Sequence, residues 1–300
     1  MRDTWFIGTG QFAALCLDGL ARNGLTFAKI ITGNPTRSGR NNRENPSPVE
    51  LKASTLGLDV TRTGKLTENA ELISALTPDT LLFVIDFGQI IRDPFLSCMC
   101  LNIHPSLLPE YRGAAPIQRA LLDGRSYTGV SVFRLAAAMD AGDILAQQRV
   151  EISPDDNASD MYEKLSAIGC KIAAEALSSP MTFTKQDDSL ATYAAKLGKN
   201  EFAVSFTMSA KTFCDTVRAL DMSGGAFVNV RGKRLKLWRV RLRDDVRAES
   251  PGAVIECGKS PVISCGDFGV ELLDVQSEGK KKMSGREWAA GLRLSVHDIL

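Results

Sequence analysis

Histidine is almost missing from this chain: His104 and His297 are the only two in 300 residues. That excludes a His-rich metal site and argues against a zinc centre, so no metal is expected. The seven cysteines (16, 98, 100, 170, 214, 257 and 265) show no CxxC spacing. An odd number without a secretory signal argues against a disulfide framework, and they read as small buried apolar residues. No apolar run approaches the ~20 residues a membrane-spanning helix needs. The opening Met1-Arg-Asp-Thr-Trp-Phe-Ile-Gly8 lacks the long apolar segment of a signal peptide. A cytosolic protein with no membrane partner, working as a monomer, is the expectation. No serine or cysteine sits in a G-x-S-x-G turn, which removes the usual nucleophile for acyl-enzyme chemistry. Internal repeats and low-complexity tracts are absent too.

Apolar content of 44% and charged content of 24% are those of a globular protein, and this length favours two domains. The net charge of +1 hides an asymmetry. Residues 1–190 carry 18 Lys and Arg against 22 Asp and Glu, whereas residues 191–300 carry 18 against 13. A basic C-terminal third suits a polyanionic partner, or is simply a solvated basic surface.

The expected fold class is α/β: a Rossmann-like, mostly parallel sheet over residues 1–180, a linker over 181–200, and a small OB-like β-barrel over 201–300. A strand over Thr4 to Gly8 leads into a helix over Gln11 to Arg22. Gly8-Thr9-Gly10-Gln11-Phe12-Ala13 between them fits the loose dinucleotide pattern G-x-G-x-x-[GA], but Ile30, Ile31 and Thr32 end the next strand where a ribose-binding acid belongs. The glycines therefore read as a tight turn. Residues 33–48 read as a long polar loop with Arg37, Arg40 and Arg43 at three-residue steps, suited to phosphate contacts. Leu81 to Ile85 has the unbroken apolar character of a parallel strand buried on both faces. Cys98 to Ile103 should be the next strand, followed by a helix over Ala114 to Leu122 and a strand over Gly129 to Leu135 reached by a right-handed crossover. An edge strand over Leu145 to Ile152 and a long amphipathic helix over Ser159 to Leu177 complete the first domain. The second should hold a helix near Ala210 to Leu220 and short strands with glycine-rich turns. There Arg231, Lys233, Arg234 and Lys236 open a run to Arg243 with seven basic residues in thirteen, a candidate contact for a nucleic-acid backbone.

The richest stretch is Leu101-Asn-Ile-His-Pro-Ser-Leu-Leu-Pro-Glu-Tyr-Arg-Gly-Ala-Ala-Pro116. Asn102 and His104, two apart on a strand, leave by one face. Pro105 and Pro109 stiffen the loop that follows. Asp140 lies 36 residues after His104, within reach of the imidazole in such a topology. An Asn, a His and an Asp suit direct attack of an amine on a carbonyl. Asn102 and His104 would donate to the oxyanion, each such donor being worth ~3 kcal/mol. Asp140 would orient the imidazole and help to accept the amine's proton. The bland alternative is a capped strand end with a satisfied polar histidine.

Asn102-Ile-His104-Pro-Ser-Leu-Leu-Pro-Glu-Tyr-Arg-Gly113, with Met139-Asp140-Ala-Gly-Asp-Ile144, resembles the signature of the folate-dependent formyltransferases. Gly113 to Gln118, the Ser38-Gly-Arg40 loop and Gly279-Lys-Lys-Lys-Met-Ser284 resemble the branch that formylates initiator methionyl-tRNA. The resemblance implies 10-formyltetrahydrofolate as co-substrate, methionyl-tRNA as partner, and Asn102, His104 and Asp140 as catalytic residues. It puts donor contacts on Phe87, Gly88, Gln89 and Ile90 and on Ser106, Leu107, Leu108 and Pro109, and tRNA insertion on Arg40. The family's usual Gly-Thr-Pro after the first strand reads Gly8-Thr9-Gly10 here. Other readings are N-formylation of a nucleotide-linked amino sugar, RNA binding without catalysis, and a nicotinamide-dependent oxidoreductase built on Gly8 to Ala13.

Overall fold

The computed structural model describes residues 3–38, 43–247 and 249–300. The chain divides into two compact units, one of residues 1–116, 128–151 and 162–194, the other of 117–127, 152–161 and 195–300.

The first unit is built on a seven-stranded sheet. In chain order its elements are β1 (Thr4–Gly8), α1 (Gln11–Arg22), β2 (Lys29–Gly33), β3 (Thr36–Ser38), β4 (Arg43–Asn45), α2 (Pro48–Thr55), β5 (Thr61–Thr63), α3 (Ala70–Ala75), β6 (Leu81–Ile85), β7 (Met99–His104) and β8 (Arg112–Gly113). After α4 (Pro116–Leu122), most of which is grouped with the second unit, come β9 (Tyr127–Arg134), β10 (Ile144–Glu151), α5 (Ala158–Leu177), whose residues 158–161 are also grouped there, and β11 (Tyr193–Ala194). The sheet order is β10-β9-β7-β6-β1-β2-β5, and the ladders from β7 to β5 are parallel. All five side chains of β6 are buried, as its unbroken apolar run requires. Helix α1 buries Phe12, Cys16, Leu17 and Leu20 on one stripe, and α2 starts where Ser47 accepts the Glu50 amide at 3.0 Å. Glycines let α5 pack closely on α1 and on β7: a Cβ at Gly19 would lie 2.7 Å from Cys170 Sγ, and one at Gly169 2.5 Å from Ile103 of β7.

Three expectations need correcting. Strand β9 runs antiparallel to β7, pairing Asn102 with Phe133 and His104 with Ser131. No right-handed crossover is therefore made between β7 and β9, since such a crossover joins parallel strands. The polar stretch 33–48 is not all loop: β3 and β4 pair as an antiparallel hairpin. Its short polar strands carry no apolar alternation, so nothing in the pattern distinguishes them from loop. Arg40 lies outside the described residues. The segment 178–200 contains β11, which pairs in parallel with β8.

The second unit holds α6 (Ala210–Ala219), β12 (Ala226–Val230), β13 (Lys233–Arg247), β14 (Val254–Cys257), β15 (Pro261–Ser264), β16 (Phe268–Ser277), β17 (Met283–Ser284) and α7 (Gly285–Leu292). Its sheet is antiparallel in the order β12-β13-β16-β15-β14, with β17 beside β16. Register shifts between Leu237 and Val240 bend the long β13, as bulges do. Helix α7 opens on a reciprocal cap in which Ser284 accepts the Glu287 amide at 3.2 Å and Glu287 accepts the Ser284 amide at 2.9 Å. All seven cysteines are free thiols, and burial pushes those of Cys100, Cys214 and Cys265 up to about 12.

Candidate active site

The last residues of β7 point where the pleat sends them. Asn102 lines an open cleft, and His104, on the same face two residues on, is buried with its ring edge-on to Phe133. His104 Nε2 lies 2.9 Å from the carbonyl oxygen of Tyr111. A carbonyl can only accept, so Nε2 carries a proton, and in the neutral ring Nδ1 holds the lone pair. That nitrogen faces Asp140 Oδ2 at 3.8 Å, in reach of an ion pair but too long for a hydrogen bond. With Nε2 committed, His104 can donate towards a substrate only through Nδ1 of the imidazolium. The Asn102 amide carries no such restriction.

Asp140 sits at φ 51°, a region non-glycine residues rarely adopt, at a cost of about 1–3 kcal/mol. Its carboxylate accepts the Gly113 N–H at 2.8 Å. Gly113 lies at φ 123°, and a Cβ there would lie 2.8 Å from the Ala194 carbonyl oxygen, so glycine is required.

The cleft, of about 430 Å³, is lined by Asn102, Asp140, Asp86 and the run Phe87, Gly88, Gln89 and Ile90, with Met139 on another side. Gln89 is fixed by donating to the Gly64 carbonyl at 2.6 Å and accepting the Leu66 amide at 3.2 Å. Ile90 and Met139 are 69% and 65% exposed, an apolar rim ready to cover a bound ring. Asp86 went unnoticed in the sequence, though an acid directly after an unbroken apolar strand is a signal. The residue is exposed as a whole, yet its carboxyl group tucks against Gly10, where a Cβ would lie 1.8 Å from Oδ2, and accepts the first amides of α1, those of Phe12 and Ala13. Burial of the carboxyl pushes it up to about 6 against the opposing pull of those amides. The position at which a dinucleotide pyrophosphate would meet α1 is thus already filled by an acid of the chain, which argues against the oxidoreductase reading.

Ser106 to Pro109 are not among the residues lining this cleft. Ser106 is fully buried and donates to the Glu110 carbonyl at 2.6 Å, while the Leu108 amide donates to Ser131 Oγ at 3.0 Å and the Leu108 carbonyl accepts from Gln147 at 2.8 Å. Leu107 packs on Gly129 and the Pro109 carbonyl accepts the Thr192 amide, so this loop is braced from within the unit. Among the described residues no group of three or more His, Cys, Asp or Glu side chains is placed to share a metal ion.

The basic residues fall into two sets. Arg37 and Arg43 belong to the hairpin strands that flank Arg40. In the second unit Arg231 and Gly232, at φ 49° and 76°, form the two-residue turn between β12 and β13, as a type I′ hairpin requires. Arg231 reaches Asp298 at 3.5 Å, Lys233 is exposed, Arg234 lies 4.0 Å over the Phe227 ring, and Lys236 bonds the Gly224 carbonyl beside Trp238. Further along β13 the cations are neutralised: Arg239 by Asp274, Arg241 by Glu271, and Arg243 by Asp245 and Glu256.

A mostly parallel α/β unit with Asn102 and His104 at the carboxyl end of β7 and Asp140 in the loop between β9 and β10, joined in sequence to an antiparallel unit, is the arrangement to compare with known proteins. Residues 3–177 match the family described as Formyl transferase, and residues 196–293 match Formyl transferase, C-terminal domain. The chain belongs to the formyl transferase family. It is 35% identical over 302 residues to a methionyl-tRNA formyltransferase of Jannaschia sp. (strain CCS1), with 98% of each chain covered. It is 34% identical over 302 residues to that of Natranaerobius thermophilus, with 96% of each covered. Among solved structures, a methionyl-tRNA formyltransferase from Clostridium thermocellum superposes with a TM-score of 0.58 at 17% identity, covering 81% of this chain and 95% of the other. The N-formyltransferase from Helicobacter canadensis, solved with folinic acid and dTDP-3-aminofucose, superposes with a TM-score of 0.65 at 17% identity, covering 92% and 100%. At those identities the likeness is one of fold.

Proposed function

We propose that the protein transfers the formyl group of 10-formyltetrahydrofolate to the α-amino group of initiator methionyl-tRNA, in the cytoplasm, for translation initiation. The observation that carries this reading is a cleft lined by the Asn102 amide and the Asp140 carboxylate, with the buried His104 imidazole 3.8 Å from that carboxylate, in a chain about a third identical along nearly its whole length to methionyl-tRNA formyltransferases. Attack of the amine nitrogen on the formyl carbon places negative charge on the formyl oxygen, which the Asn102 amide can bind. The proton lost by the amine passes to His104 Nδ1, with Asp140 facing the resulting imidazolium, and the imidazolium returns that same proton to the donor nitrogen as its bond to the formyl carbon breaks. Phe87 to Ile90 contact the donor's ring. A donor-contact role for Ser106 to Pro109 rests on the family resemblance alone.

Arg37, Arg40 and Arg43, and Arg231, Lys233, Arg234 and Lys236 in the second unit, bind the tRNA backbone. Arg234 and Lys236, which touch rings and a carbonyl and no carboxylate among the described residues, are the cations most available to phosphate. The amino-sugar reading is favoured by no observation beyond fold likeness. Incubation with 10-formyltetrahydrofolate and either methionyl-tRNA or a nucleotide-linked amino sugar separates the two. Formylmethionyl-tRNA as the product supports this assignment, and formylated sugar alone overturns it.

A further inference from the structure

The segment between α5 and the second unit looks in sequence like a polar connector, yet it contains the best-satisfied side chain near the site. Gln186 is 5% exposed and uses four hydrogen-bonding positions of its amide. Nε2 donates to the Asp140 carbonyl at 2.8 Å and to the Gly142 carbonyl at 2.6 Å. Oε1 accepts Arg112 Nε at 3.1 Å and Nη2 at 2.7 Å. Arg112 is itself 4% exposed, and its other partner is the carboxylate of Asp188, which is 71% exposed.

Those partners are the two strands of chain that hold the reactive pair. Arg112 stands between Tyr111, whose carbonyl takes the proton on His104 Nε2, and Gly113, whose amide holds the Asp140 carboxylate. On the other side of the amide is Asp140 itself, in a backbone region that persists only where its surroundings hold it. We propose that Gln186 is the positioning residue that sets the separation of His104 and Asp140, by tying the Arg112 segment to the Asp140 turn through one uncharged amide. The proposal rests on the formyl-transfer reading for its kinetic consequence, but not for its geometry.

Only a primary amide fits. A glutamate has the same shape and would keep both bonds from Arg112, but it sets an oxygen against the Asp140 and Gly142 carbonyls, where two N–H donors stood. Gln186→Glu therefore releases the Asp140 turn while leaving Arg112 paired. Asp188→Asn weakens the pairing of Arg112 and leaves the Asp140 turn held.

Two measurements on the full chain test this. Because the chain has only two histidines, ring resonances in NMR report His104 with His297 as an internal control. Gln186→Glu should move the His104 signals and leave those of His297 in place, while Asp188→Asn moves neither. That readout needs no acceptor, so it stands even if methionyl-tRNA proves to be the wrong one. In the formylation assay, kcat should fall ~100-fold in Gln186→Glu, the loss expected from displacing a reactive group by about 1 Å. The methionyl-tRNA Kd should stay within about twofold and Asp188→Asn should keep kcat. Unmoved His104 signals, an unchanged kcat in a wild-type-active protein, or an equal loss in Asp188→Asn would overturn the proposal. So would a fall in Tm with both rings shifted, which marks general unfolding.

Discussion

The surroundings of His104 and Asp140 differ in kind from those of Arg234 and Lys236. Each of the first pair is fixed by backbone groups of distant segments, the Tyr111 carbonyl for one and the Gly113 amide for the other, and both side chains are largely buried. The second pair rests on ring faces and one carbonyl, with its charge open to solvent. Bond-making needs atoms held to fractions of an ångström, whereas attraction of a polyanion needs charge that nothing else neutralises. The two jobs are therefore separable by mutation.

The largest expected effect comes from His104→Ala, which should lower kcat by ~10²–10⁴-fold with the methionyl-tRNA Kd unchanged. Asp140→Asn keeps an oxygen for the Gly113 amide and removes the charge beside the imidazole, so kcat should fall by about 10²-fold, again without loss of binding. Both are read from single-turnover rates and filter binding on the same preparations. The double change Arg234→Ala with Lys236→Ala should do the reverse. Turnover of bound tRNA stays, affinity falls, and the slope of log K against log salt becomes shallower by roughly 2. Arg241→Ala, whose guanidinium is already paired with Glu271, should alter that slope little. An equal change in slope from Arg241→Ala would erase the distinction between the two ends of β13.

The smallest effect concerns Asp86. Its carboxyl is raised from an ordinary 3.8 to about 6 by burial. Between those values the folded chain holds a proton that the unfolded chain has released, so stability falls as pH rises through that window. The full conversion is about 3 kcal/mol, which solvent screening of so exposed a residue reduces to ~1 kcal/mol. Urea melts of Asp86→Asn at pH 4.5 and 7.5 should show a flatter dependence than the parent by that amount.

Much of this was readable in advance. Strand β1, helix α1 and strand β6 have the bounds their apolar patterns indicate, because each buries a face whose period is visible in a few residues. The two-residue step from Asn102 to His104 placed both on one face of β7, and Asp140 is found beside the imidazole. What stayed hidden depends on the rest of the fold. The direction of β9 is seen in its pairing with β7, and no residue of the strand itself announces it. The roles of Gln186, the Tyr111 carbonyl and the Gly113 amide arise from contacts across up to 74 residues of chain, and no local pattern records them. Asp86 was overlooked because an acid after a strand looks like ordinary solvation until its carboxyl is seen against Gly10.

Positions 10 and 86 are consequently one structural decision and not two. Any side chain at 10 meets the aspartate head-on, so a change there alone should jam the start of α1, and shortening residue 86 in the same molecule should relieve it. Redesign of this turn succeeds only as a paired exchange, and natural variants should swap the two together.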